Sequence, residues 1–132
     1  MAYILLVDDE DSIRELFRQA LELDGHTVET GIDGNDGLDI LHSREGAFDL
    51  MLSDIFMPGM DGIALAHEAK RAFPELRIVL MTGFAGQRER AKELEEVVID
   101  VLSKPFSIGV LRETVRRVVN LPATPASAAI LP

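Results

Sequence analysis

The sequence predicts a doubly wound α/β fold, with five parallel strands in one sheet and helices on both of its faces. Three observations predict it. Short, almost uninterrupted apolar runs recur along the chain, as strands covered on both faces require. Amphipathic stretches with a helical period separate them. The two kinds of segment alternate, and that order builds a parallel sheet. At 132 residues and 47% hydrophobic, the chain suffices for one such domain with one real core.

The elements follow in order. Tyr3-Ile4-Leu5-Leu6-Val7 reads as a buried strand. Ile13, Leu16, Phe17, Ala20 and Leu21 then fall on one helical stripe, with Ser12 or Asp11 as its cap. After the turn Asp24-Gly25 comes a weaker strand around Thr27-Val28-Glu29. The glycine-rich stretch Gly31–Gly37 reads as a turn and helix start, and Leu38, Ile40 and Leu41 mark the helix. Leu50-Met51-Leu52 is the next strand. Ile63, Ala66, Ala69, Lys70 and Phe73 trace a third helix, closed by Pro74. Ile78-Val79-Leu80-Met81 is a strand, and so is the run from Val97 to Leu102. Between them, Gln87 to Glu96 looks helical but offers a core only Ala91 and Leu94. Ile108, Leu111, Val115 and Val118 mark the last helix, capped by Ser107. The domain is expected over residues 1–120, with 121–132 a flexible Pro/Ala-rich tail.

Composition excludes several classes of function. The chain has no cysteine, so disulfides and thiolate metal sites are out. His26, His42 and His67 show no zinc-like spacing. A formal charge of −10 argues against nucleic-acid binding. The N-terminus lacks a basic leader, and no apolar run approaches the ~18 residues of a membrane span. A cytoplasmic protein is expected.

In such a sheet, ligands gather at the carboxyl ends of the strands. Here those ends carry Asp8-Asp9, Ser53-Asp54, Thr82-Gly83 and Ser103-Lys104-Pro105. Three carboxylates brought together repel unless a cation compensates, and such oxygens suit Mg²⁺. An aspartate so neutralised can attack phosphorus and form an acyl phosphate. Lys104 would balance the phosphoryl charge and Thr82 would donate a hydrogen bond, which is most of what phosphoryl transfer needs. Singly, each element has a plainer reading. Asp8-Asp9 could cap a helix, Thr82-Gly83 could be a turn, and Lys104-Pro105 could be a strand end. Their joint occurrence, each at a strand end, favours the site.

These residues resemble the receiver domain of bacterial two-component response regulators. The likeness rests on Val7-Asp8-Asp9-Glu10, on Ser53-Asp54-Ile55-Phe56-Met57-Pro58-Gly59-Met60-Asp61-Gly62, on Met81-Thr82-Gly83 and on Ser103-Lys104-Pro105-Phe106, and it covers residues 3 to about 119. The resemblance implies a (βα)5 receiver, or flavodoxin-like, fold. It implies Asp54 as phosphoacceptor, with Asp8, Asp9, Asp54 and the backbone carbonyl of Phe56 holding Mg²⁺. Thr82 and Lys104 become the switch hydroxyl and lysine, and the Lys104–Pro105 bond becomes cis. The partner implied is a histidine kinase or a histidine phosphotransfer protein. The protein would be a monomer or weak dimer, and no enzyme beyond assisting its own phosphorylation and dephosphorylation.

One position departs from the family pattern. Three residues before the lysine, receivers usually carry a ring that swings inward on activation; here that residue is Val101, nearly fixed at χ1. Phe84 could serve as the moving bulk, or simply pack at the rim. Phe56 could shield the acyl phosphate. No output domain follows, so the output is expected to be a binding surface, with Arg88, Arg90, Lys92, Asp100, Arg112 and Arg116 on it. The stretches Leu21–His26 and Met81–Ala91 further resemble CpdR-type receivers of alphaproteobacteria. That likeness implies an adaptor for the AAA+ protease ClpXP, which engages ClpX when unphosphorylated. A phosphoryl shuttle or sink is the alternative. A haloacid-dehalogenase-type phosphatase is disfavoured because Phe56 stands where a second Asp is needed. A dinucleotide binder is disfavoured because Gly31–Gly37 lacks the GxGxxG spacing.

Overall fold

The computed structural model describes residues 1–83 and 97–122. Five parallel strands form one sheet in the order β2-β1-β3-β4-β5. They are β1 (Tyr3–Val7), β2 (Thr27–Gly31), β3 (Leu50–Asp54), β4 (Ile78–Thr82) and β5 (Asp100–Ser103). Four helices lie among the described residues: α1 (Asp11–Leu23), α2 (Gly34–Ser43), α3 (Gly62–Ala72) and α4 (Ile108–Val119). The helix expected over Gln87–Glu96, with Phe84, Arg88, Arg90 and Lys92, lies outside the described residues, as do tail residues 123–132.

Strand alternation sorts the core into two layers. Leu5, Val7, Met51, Ile78 and Leu80 pack against Leu41 of α2 and Leu65, Ala66 and Ala69 of α3. Ile4, Leu6, Leu50, Leu52, Val79 and Met81 face the other way, onto Phe17 and Leu21 of α1 and Leu111, Val115 and Val118 of α4. The inner strands are therefore apolar along nearly their whole length, which is why the sequence shows runs rather than alternation there. Register is continuous: Val7 pairs with Gly31 and Ser53, and Asp54 with Met81. All five strands end on the same side.

Side-chain caps start three helices, and of these the sequence predicted only Ser107. Asp33 accepts the Asp36 amide at 2.8 Å, Asp61 the Ala64 amide at 2.8 Å and Ser107 the Val110 amide at 3.1 Å. Lys70, on the apolar stripe of α3, reaches back to the Leu76 carbonyl at 2.8 Å and closes the turn into β4. Four expectations need correction. Helix α1 has neither Ser12 nor Asp11 as its cap; Glu10 occupies that position without a side-chain cap bond, and Asp11 is already helical. Leu16 is 48% exposed, because α1 buries only Phe17, Ala20 and Leu21. Strand β5 begins at Asp100, not Val97, although the Ile99 amide still bonds the Ile78 carbonyl at 2.8 Å. Arg112 turns away from β5 and pairs with Asp24 at the end of α1, whereas Arg117 takes Asp100 at 2.6 Å. The register of α4 decides this, since neighbouring residues on a helix point about 100° apart.

Candidate functional site

The strand ends bring the predicted residues together. Asp8 follows β1, Asp54 closes β3, Thr82 closes β4 and Lys104 follows β5. Asp8, Asp9 and Asp54 each offer a carboxylate oxygen, all within 4.8 Å of one another. Lys104 Nζ stands 3.5 Å from Asp8 Oδ2 and 3.5 Å from Asp54 Oδ2. Asp8 is fully buried and Asp54 is 8% exposed. The Lys104 amide donates to the Thr82 carbonyl at 2.6 Å, tying the hydroxyl-bearing and amine-bearing strand ends together. The Lys104–Pro105 peptide is cis.

Burial governs the electrostatics. The Asp54 carboxyl is pushed up to about 6, chiefly because burial disfavours its charge. Lys104 opposes that rise, while Asp8 and Asp9 add to it. Asp8 Oδ2 is buried and has no hydrogen-bond partner among the described residues. Among the described residues, the Lys104 ammonium thus reaches two of the three clustered carboxylates, and one buried oxygen is left without a hydrogen bond. A hard divalent cation fits this donor set, because it supplies the missing positive charge and takes oxygen ligands.

Local backbone features hold the acids in place. The Asp8 amide donates to the Gly31 carbonyl at 3.2 Å, and Asp8 Oδ1 accepts the Glu10 amide at 2.9 Å. Beyond β3, the Ile55 amide bonds the Met81 carbonyl, and the Gly62 amide returns to the Ile55 carbonyl, both at 2.9 Å. A Cβ on Gly62 would lie 2.2 Å from the Asp54 carbonyl oxygen. Only glycine lets α3 start this close to the acid-bearing strand end. Sequence reasoning missed this role, though Gly62 stands directly after the capping Asp61. It also missed Arg14, whose Nη1 donates to the Asp8 carbonyl at 2.7 Å.

Phe56, two residues beyond Asp54, is 64% exposed. Val101 lies in β5, half-buried against the layer that α2 and α3 cover. Phe84 falls outside the described residues.

Residues 4–116 match the family described as the response regulator receiver domain. The chain belongs to that family. This receiver is 32% identical over 119 residues to the sensor kinase CckA of Brucella abortus, covering 90% of the chain but 13% of that protein. It is 36% identical over 117 residues to the DNA-binding transcriptional regulator NtrC of Salmonella typhimurium, covering 89% of the chain and 24% of that protein. The receiver thus spans a small part of both relatives. Among solved structures, Thermotoga maritima response regulator TrrA in complex with Mg²⁺-BeF aligns at a TM-score of 0.80 with 31% identity, over 89% of this chain and 99% of that one. Receivers are signalling domains that work with histidine kinases or phosphotransfer proteins, and their acidic pocket typically binds Mg²⁺. No helix among the described residues is long and apolar enough to cross a membrane.

Proposed function

We propose that this receiver is phosphorylated on Asp54 and that its phosphorylation state controls binding to another protein. The observation that carries this is the trio Asp8, Asp9 and Asp54, with carboxylate oxygens within 4.8 Å and Lys104 at its edge. Asp8, Asp9, Asp54 and the Phe56 backbone carbonyl would hold Mg²⁺. The bound cation supplies charge neutralisation among the carboxylates and the phosphoryl oxygens. Asp54, ionised at neutral pH, attacks phosphorus through a carboxylate oxygen. The bond from phosphorus to the donor nitrogen or oxygen breaks, and the leaving group keeps the electron pair. Lys104 pairs with the phosphoryl oxygens, and Thr82 donates a hydrogen bond to one of them.

The output we propose is that of a CpdR-type adaptor, engaging ClpX when unphosphorylated. Val101 supports it. A half-buried valine packed on the core offers no ring to swing inward, so loss of a surface on phosphorylation is simpler than creation of one. Two measurements test the proposal. Acetyl-phosphate labelling is expected to vanish in Asp54→Ala; stoichiometric labelling of that variant overturns the acceptor assignment. Titration against the ClpX N-terminal domain, with and without Mg²⁺ and beryllofluoride, is expected to show binding by the unmodified protein alone. No binding in either state refutes the adaptor role and favours a phosphoryl shuttle or sink.

A further inference from the structure

We infer that Arg14 is a positioning residue for the cation site: its guanidinium fixes the peptide that aims the Asp8 and Asp9 carboxylates. The inference rests on the reading of this pocket as a divalent-cation site. Asp8 is held atom by atom. Its amide donates to Gly31, its Oδ1 accepts from the Glu10 amide, and its carbonyl accepts Arg14 Nη1 at 2.7 Å. Among the described residues, Oδ2 has no hydrogen-bond partner; it stands 3.5 Å from Lys104 Nζ.

The carbonyl that Arg14 holds belongs to the Asp8–Asp9 peptide. That unit is planar, so rotating it re-aims both acids at once. Asp8 is fully buried, and the Arg14 side chain is only 14% exposed. Without the guanidinium, a buried acceptor loses its donor, and rotation toward another partner is favoured. Arg14 Nη2 simultaneously holds Asp11, the first residue of α1. The planar fork therefore spans from the end of β1 to the first turn of α1. Lysine carries its three donors on one nitrogen and so lacks the two spaced nitrogens that this span uses. The pairing of Arg14 with Asp11 is by itself an i,i+3 surface contact of little consequence.

The test is calorimetric titration of Mg²⁺ into the metal-free full chain, comparing native protein with Arg14→Met, Arg14→Lys and Arg71→Met. The last removes an arginine from the exposed pair with Glu68 and so controls for the change in net charge. Arg14→Met is expected to weaken Mg²⁺ binding by about 10–100-fold, the range for partners that orient metal ligands. Arg14→Lys is expected to fall between, and Arg71→Met to bind as the native protein does. In acetyl-phosphate labelling, the Arg14→Met defect is expected in the half-saturating Mg²⁺ concentration, with the rate recovering as Mg²⁺ is raised. Native Mg²⁺ affinity in Arg14→Met overturns the inference, and so does a lowered plateau with unchanged half-saturation. Should Arg14→Met fail to fold, Arg14→Lys decides, and native affinity there rejects the fork. A native chain that binds no Mg²⁺ defeats the cation-site reading itself, which is a separate result.

Discussion

Replacing Asp54 with asparagine is expected to stabilise the metal-free protein at neutral pH. The substitution keeps the shape of the side chain and removes its charge. Asp54 titrates at about 6 in the folded protein against an ordinary 3.8, because burial penalises the carboxylate. At about 1.4 kcal/mol per pH unit, the ionised group costs the fold about 3 kcal/mol. The sign follows from proton counting. The folded pKa lies above the unfolded value, so between pH 3.8 and about 6 the native state holds more protons than the unfolded chain. Stability from this group is thus lost as pH rises through that window. The amide of the Asp54→Asn variant has nothing to titrate and escapes the loss. Lys104 loses one carboxylate partner in the variant, so a gain of about 1–3 kcal/mol is expected at pH 7–8. The gain should shrink toward zero near pH 4. Urea denaturation in EDTA at several pH values measures it. Adding Mg²⁺ at ten times its Kd should stabilise the native protein by about 1.4 kcal/mol and narrow the gap. An Asp54→Asn variant no more stable than the native protein at pH 8, or a gap that does not close in acid, would refute the claim that Asp54 carries a buried, unfavourable charge.

Two further predictions concern the same strand ends. Gly62→Ala places a Cβ 2.2 Å from the Asp54 carbonyl oxygen and 2.8 Å from the Ile55 Cα. Backbone cannot yield as a side-chain tip can, so a loss of about 1–3 kcal/mol is expected by urea titration; an unchanged midpoint would show that α3 does not lock the end of β3. Lys104→Met removes the ammonium 3.5 Å from both Asp8 and Asp54. The Asp54 carboxyl should then titrate higher still, seen by carbon NMR of the labelled side chain, and phosphorylation should slow by about a hundredfold. An Asp54 that titrates where it did before would contradict the assigned contact.

Most of the architecture was legible because apolar runs and helical stripes are local signals. Ile4 to Val7 and Ile78 to Met81 are buried on both faces, so no polar residue interrupts them. Errors fell where packing, not pattern, sets the boundary. Val97 to Ile99 is as apolar as a strand, yet the ladder with β4 begins only at Asp100, opposite Val79. Leu16 carries the right period but lies beyond the edge that α1 buries. Arg112 and Arg117 are alike in sequence, and only the rotation of α4 separates the residue that meets Asp24 from the one that meets Asp100.

The candidate site divides in the same way. Local pattern was enough to place particular chemical groups at the strand ends: Asp8, Asp9, Asp54, Thr82 and Lys104. It could do so because a parallel sheet ends all its strands on one side, whatever the details of packing. How those groups meet depends on packing in three dimensions. Packing sets Lys104 between Asp8 and Asp54, leaves Asp8 Oδ2 without a hydrogen bond among the described residues, and gives Arg14 and Gly62 their places behind the acids. Distances between groups 46 residues apart, such as Asp8 and Asp54, are fixed by sheet register and helix docking. No local pattern encodes them, because burial and charge act through space and not along the chain.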